Sequence, residues 1–324
     1  MTGASSGAES SEWRIFRGDG RRRRPEIPEP PPWRRFQDHD EGGPSTARKP
    51  AYVIGDAEVD VINAALHLRR PLLVTGHPGV GKTSLADAIA HELDLGEVLR
   101  WPVNSRSTLQ EALYRYDAIG RLQESGPPTA EGQVVPGIGR YVRLGPLGTA
   151  LVPADRPRVL LVDELDKGDV DLPNDLLTVF EEGCFEIPEL SRLPEQQPDV
   201  TVFTADRGRQ ATVRRGFVRC TQFPVVVITS NGERDFPPAF RRRCLPLHLD
   251  DPRRERLQRI IVSHFGEGAL AGIEDLVDTF IQERDIKELA TDQLLNAVFL
   301  RREGARLDPE GLLRTVLHQL NPGG

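Results

Sequence analysis

Along roughly the first 48 residues the apolar positions follow no period. From Ala51 they alternate between two periods, and after Asp251 only the helical one remains. A helix is predicted from about Ala57 to Leu68, followed by a short apolar strand over Leu72–Thr75. A turn and a second helix follow, with Leu85, Ala88, Ile89 and Leu93 on one stripe. Further apolar runs predict strands near Val98–Val103, Val159–Asp163, Pro224–Ser230 and Leu245–Leu249, with helical stretches between the earlier ones. Strands that alternate with helices imply an α/β fold, a parallel sheet covered on both faces. Beyond Asp251 four amphipathic helices are expected: Arg253–Phe265, Ala269–Glu283, Thr291–Arg302 and Pro309–Leu320. The last opens Asp-Pro-Glu, an N-cap followed by proline at the first helical position.

Two stretches exceed what a compact crossover needs. Residues 104–151 hold Tyr114-Arg115-Tyr116-Asp117, a proline-glycine loop near Pro127 and an expected hairpin around Tyr141–Leu151. Residues 184–221 show alternating pairs at Val200–Phe203 and Ala211–Val218. The organisation expected is a leader (1–48), a nucleotide-sized α/β domain (49–250) with these two insertions, and a small helical lid (251–324).

Composition refines this picture. The chain has 324 residues and a net charge of −7. Arg21 to Arg24 and a proline run from Pro25 to Pro32 make the leader slightly basic, so the remainder is more acidic still. Such a leader cannot bury enough surface to offset its ordering entropy, and a solvated segment is expected. Trp13 and Trp33 stand out there, Trp33 in the string Pro-Pro-Pro-Trp-Arg-Arg-Phe, which reads equally as a docking motif and as variable leader. An acidic body argues against nucleic acid as the partner of the folded part. Cys184, Cys220 and Cys244 are far apart without CxxC spacing. That excludes a disulfide scaffold and a zinc ribbon, and fits a reducing cytoplasm. No apolar run reaches the length of a membrane span or forms a signal peptide. Of 42 basic residues only Lys49, Lys82, Lys167 and Lys287 are lysine.

The strongest chemical signal is Gly76-His77-Pro78-Gly79-Val80-Gly81-Lys82-Thr83, a GxxxxGK[ST] loop between a predicted strand and a predicted helix, with Ser84 next. Its glycines let backbone N–H groups wrap a phosphate, and the helix N-terminus adds its dipole. Lys82 supplies a point charge for the β- and γ-phosphates, and Thr83 a hydroxyl for Mg²⁺. In an arginine-saturated chain, a lysine here answers the need for an ammonium. His77 has no metal partners in sequence.

Three later signals complete the set. Val159-Leu160-Leu161-Val162-Asp163-Glu164 is an apolar strand ending in two acids: Asp163 for the Mg²⁺ shell, Glu164 to activate the attacking water. The strand Val225–Ser230 delivers Asn231, a candidate for bonding the γ-phosphate or the lytic water, although Ser-Asn-Gly is also ordinary turn chemistry. Pro237-Pro238-Ala239-Phe240-Arg241-Arg242-Arg243-Cys244 places arginines where one could reach a neighbour's γ-phosphate, or simply form a solvated basic turn.

The order of these signals resembles an AAA+ ATPase, and their wording resembles the MoxR group. The matching strings are Val53-Ile54-Gly55-Asp56, Asp163-Glu164-Leu165-Asp166-Lys167, Asn174-Asp175-Leu176-Leu177, and Ser230 to Phe240 followed by Arg-Arg-Arg-Cys. The likeness covers about residues 51–300. It implies an αβα sandwich on a five-stranded parallel sheet with a helical lid. It also implies ATP and Mg²⁺ as ligands, a hexameric ring with nucleotide between subunits, and chaperone-like action on a partner protein. By the same resemblance Arg243, with Arg242 next in line, is the finger, and Tyr52, Val53 and Ile54 lie near adenine. Partners carrying a von Willebrand factor A domain are implied, and the insertions would contact the client. Asp292 stands where the lid usually offers a second arginine.

Other readings differ in what they require. A GTPase needs an Asn-Lys-x-Asp guanine reader on a later strand, and Asp166-Lys167-Gly168-Asp169 follows the acidic strand too closely to serve. A GTP-using restriction motor of related fold shares these motifs. A clamp loader or helicase requires a basic groove, for which the folded part carries no signal. A nucleotide-gated scaffold of a signalling or defence complex would bind ATP with negligible turnover, and the intact Glu164 weighs against it.

Overall fold

The computed structural model describes residues 15, 22, 24, 26–34, 51–124, 137–287, 289–305, 307 and 311–317. Most of the leader, the proline-glycine loop near Pro127 and the Asp-Pro-Glu start expected for the last helix lie outside the described residues. The chain divides into two compact units: residues 54–76 with 82–249, and residues up to 53 with 77–81 and 250–324.

The first unit is built on a five-stranded, wholly parallel sheet. Its strands are β1 (Leu72–Thr75), β2 (Leu99–Pro102), β5 (Val159–Asp163), β10 (Val225–Ser230) and β11 (Leu245–His248), in the order β11-β1-β10-β5-β2. Val159 to Val162 and Val227 to Ile228 are fully removed from water, which is why these runs read as continuously apolar rather than alternating. Burying each such side chain is worth about 1.5–3 kcal/mol. Helix α1 (Asp56–Leu68) leads into β1, α2 (Lys82–Glu92) connects β1 to β2, and α6 (Leu172–Glu182) follows β5. In α2 the buried stripe is Leu85, Ala86, Ile89 and Ala90; Leu93, expected on that stripe, is 37% exposed beyond the helix end. A short helix, α8 (Pro238–Arg241), precedes β11.

The two insertions form one second sheet. From the first come α3 (Leu109–Leu113), β3 (Tyr114–Tyr116), α4 (Ala118–Glu124), β4 (Val142–Leu144) and α5 (Pro146–Ala150). From the other come β6 (Cys184–Glu186), α7 (Pro188–Ser191), β7 (Asp199–Phe203), β8 (Gln210–Arg214) and β9 (Phe217–Arg219). The strand order is β3-β4-β7-β8-β9-β6. The hairpin expected at Tyr141–Leu151 is replaced: β4 pairs back to β3, and helix α5 starts at Pro146 because proline at the first turn ends the strand. β4 also meets β7 through the single rung Arg143↔Phe203, where the Arg143 guanidinium lies over the Phe203 ring and donates to Thr204 O at 3.1 Å.

In the second unit, α9 (Arg254–Phe265), α10 (Glu274–Lys287), α11 (Thr291–Arg302) and α12 (Leu312–Val316) pack around Leu257, Ile261, Leu276, Phe280, Leu294 and Val298. α10 begins five residues later than expected, after a separate 3₁₀ turn at Glu267–Leu270. α11 starts with half of a capping box: the buried Gln293 side chain accepts from the Ala290 N–H at 2.9 Å. Among the described residues no helix is long and apolar enough to cross a membrane.

Candidate functional site

The carboxyl ends of β1, β5 and β10 bring most of the expected chemistry together in the first unit. α2 begins at Lys82, whose buried ammonium donates to Gly76 O at 2.6 Å, so the lysine closes the loop on itself. One residue on, the Thr83 hydroxyl donates to Asp163 Oδ1 at 3.0 Å. Ser84 is exposed. Residues 77–81 group with the second unit, where His77 Nδ1 lies 2.8 Å from Asp251 Oδ2. Gly79 (φ 78°) and Gly81 (φ 99°) take left-handed backbone that side chains resist. A Cβ on Gly79 would fall 2.2 Å from that of Ala290, so this position excludes any larger residue twice over. The Tyr52 hydroxyl donates to Gly81 O at 3.1 Å, and Val53 O accepts from Arg256 at 3.1 Å. Ile54 is half-buried in the first unit.

Thr229, which the sequence offered only as part of a strand, ties the two acids to β10. Its hydroxyl donates to Asp163 Oδ1 at 2.6 Å and accepts from the Glu164 N–H at 2.8 Å. Glu164 itself sits in left-handed backbone (φ 58°, ψ 49°), rare for a residue with a side chain and the sort of local strain that clusters at working sites. Its carboxylate accepts from Asn231 Nδ2 at 3.2 Å through one oxygen and from Lys167 Nζ at 2.8 Å through the other. That contact raises the Lys167 pKa above its usual value.

Asp166 is the other residue that motif reading left without a role. It is 4% exposed, and its Oδ2 accepts from the backbone N–H of Asn231 at 2.9 Å and of Glu233 at 3.0 Å. A buried carboxylate thereby fixes the turn that carries Asn231. Arg234 reaches back to Gly168 O, a second stitch between the same two segments. The signal was present in the string Asp-Glu-Leu-Asp: two residues after Glu164, at a 3₁₀ turn, a carboxylate can face the next strand's end.

The arginine turn stands apart from this cluster. Arg243 pairs with Glu181 of α6 and donates to Ala239 O at 3.2 Å, while Arg242 is exposed. Asp292 is exposed in the first turn of α11. Cys244 is a core residue whose thiol is pushed up to about 12 by burial, so it is inert at neutral pH. Among the described residues no group of three or more His, Cys, Asp or Glu could hold a metal ion by itself.

A parallel five-stranded sheet flanked by helices, with a glycine-rich loop after β1 and an acid pair at the end of β5, defines an AAA+ P-loop αβα domain. The family model for the AAA domain of the dynein-related subfamily matches residues 71–244, and the chain belongs to that family. Among solved structures, a candidate ATPase from Cytophaga hutchinsonii is 15% identical, covering 63% of this chain and 53% of its own, with a TM-score of 0.34. NtrX from Brucella abortus, solved with ADP, is 17% identical, covering 82% of this chain and 55% of its own, with a TM-score of 0.41. The chain thus spans just over half of each. No curated protein matches it.

Proposed function

We propose that this chain is a Mg²⁺-dependent ATPase of the MoxR-like group, working in the cytoplasm as a ring of identical subunits and using hydrolysis to remodel or activate a partner protein.

 The observation that carries this reading is the linked set at the strand ends, Thr83–Asp163–Thr229 on one side and Asn231–Glu164 on the other. The Thr83 hydroxyl and the Asp163 carboxylate are the hard oxygen donors Mg²⁺ takes, its other positions being left to phosphate and water. When bound, the ion supplies charge neutralisation at the transferring phosphoryl group.

This chain's own groups do the rest. Backbone N–H groups from Gly76 to Ser84 hold the phosphates, and Lys82 turns its ammonium from Gly76 O to them. Glu164 takes the proton of the attacking water, and Asn231 orients that water or the γ-phosphate. Arg243, with Arg242 beside it, serves the neighbouring subunit's site once released from Glu181. Tyr52, Val53 and Ile54 contribute to adenine selection. The client class offered by the resemblance is a protein with a von Willebrand factor A domain, met by the insertions. Glu164→Gln tests the reading: nucleotide binding persists and phosphate release falls by at least about 100-fold.

A second reading, a nucleotide-gated scaffold with little turnover, draws on two contacts. Both Glu164 carboxylate oxygens are engaged, and Arg243 is paired within its own chain. Phosphate release from the assembled wild-type protein no faster than from Glu164→Gln would favour the scaffold.

A further inference from the structure

Trp33 lies in a 3₁₀ turn, Pro32–Arg34, and its ring meets three others edge-on. His264 and Phe265 of α9 are each 5.8 Å away between ring centres, and Phe299 of α11 is at 6.3 Å. Trp33 packs against the helical unit's core, yet within residues 26–34 only Pro31 and Trp33 escape full exposure. A single aromatic anchor in a proline-rich segment with exposed flanks is the pattern of a short peptide ligand, whose preset backbone loses little entropy on docking. The receiving face is built for a ring. Beneath it His264 Nδ1 is buried without a hydrogen-bond partner, and the Arg302 guanidinium lies over Phe265 at 5.5 Å.

We propose that the α9–α11 face is a peptide-docking site and that its resident ligand is the chain's own Pro30-Pro31-Pro32-Trp33 segment, held in cis and exchangeable. Sixteen residues, 35–50, separate Arg34 from Ala51. A covalent tether of that order sets an effective concentration of about a millimolar, so a weak anchor suffices for occupancy. The arrangement leashes the arginine run Arg21–Arg24 to the helical unit. It also leaves the site open to any peptide that offers a tryptophan after prolines at comparable concentration.

The test uses the full chain and a fluorescent peptide spanning residues 26–36. The peptide should bind the Trp33→Ala protein and bind wild type at least ten-fold more weakly, because the resident segment competes. The same peptide with alanine for its tryptophan should bind neither, and adding Phe299→Ala to the Trp33→Ala protein should abolish binding. Should Trp33→Ala fail to fold, Trp33→Phe replaces it: its smaller ring competes less well, so the peptide should still bind this variant more tightly than wild type. No binding to the emptied site, or equal binding to both proteins, overturns the proposal. Concentration-dependent dimerisation lost with Trp33→Ala would overturn occupancy in cis in favour of a second copy.

Discussion

The Lys167 ammonium lies 2.8 Å from one oxygen of the Glu164 carboxylate while Asn231 holds the other. The pair is about two-fifths exposed on each side, so its worth is bounded near 1 kcal/mol. Freeing that oxygen lowers the cost of presenting the carboxylate to water. Lys167→Met is therefore expected to raise basal phosphate release about two- to five-fold, with nucleotide affinity unchanged. A fall in turnover would make the lysine an orienting group instead.

Asp166 stands behind the same geometry. Asp166→Ala leaves two backbone N–H groups without their acceptor, at about 1–3 kcal/mol for each that stays buried and unpaired. Stability in urea should fall by about 2–4 kcal/mol, and turnover should fall while ATP affinity holds. Asp166→Asn keeps an acceptor oxygen and should recover most of both losses.

Arg243 offers a test in trans. Arg243→Ala should bind ATP normally and lose up to about 10³-fold in turnover. Mixing it with Glu164→Gln should restore part of the activity, since shared interfaces would pair an intact glutamate with an intact arginine. Two dead proteins that stay dead when mixed would remove the arginine from the neighbour's site.

His264 links acidity to the stability of the helical unit. Burial pushes its pKa below the ordinary 6.5, so the unfolded chain binds the proton more readily than the folded one. Stability from this group is complete above about 6.5 and declines as pH falls from there toward the folded value. Melting between pH 7.5 and 5.5 should show that decline, and His264→Leu should flatten it. Asp206, lowered by Arg158, acts in a different window: its contribution is present above 3.8 and is lost only as pH falls further.

Ile119 and Leu122 on α4, and Phe217 on β9, are large apolar side chains at least half exposed. Changing all three to serine should leave melting temperature and basal turnover alone while weakening client activation. Equal loss of turnover would place these residues in the ATPase itself.

Local pattern and long-range pairing differed in how well the sequence displayed them. β1 spans the expected Leu72–Thr75 and α11 the expected Thr291–Arg302, because apolar runs and caps are encoded within one element. The second sheet was visible only in part: the alternation at Val200–Phe203 and Ala211–Val218 marks β7, β8 and β9, but the joining of the two insertions was hidden, since Arg143 and Phe203 meet across sixty residues and a three-residue strand carries almost no periodic signal. Thr83, Asp163, Glu164 and Asn231 could be picked out because motif spacing marks them. Thr229 could not, because its role exists only where β5 and β10 lie side by side, and Asp166 showed only as a further acid in the Asp-Glu-Leu-Asp string. The Arg243–Glu181 contact was likewise hidden, as nothing in either string points to the other.

One consequence follows from how the second insertion is sewn in. Its outermost strands, β6 and β9, pair antiparallel from Cys184↔Arg219 to Glu186↔Phe217, and the Cys220 N–H reaches Gly183 O at 3.0 Å just outside them. The loop is closed at its neck, so its length adds little further closure entropy. Beyond that neck the insertion stays tied to the rest of the first unit through β7 on β4 and through Val200, Val202, Val213 and Val218 in the core, so changes of length fall to exposed turns such as residues 194–197 and leave the register of β10 and the position of Asn231 alone.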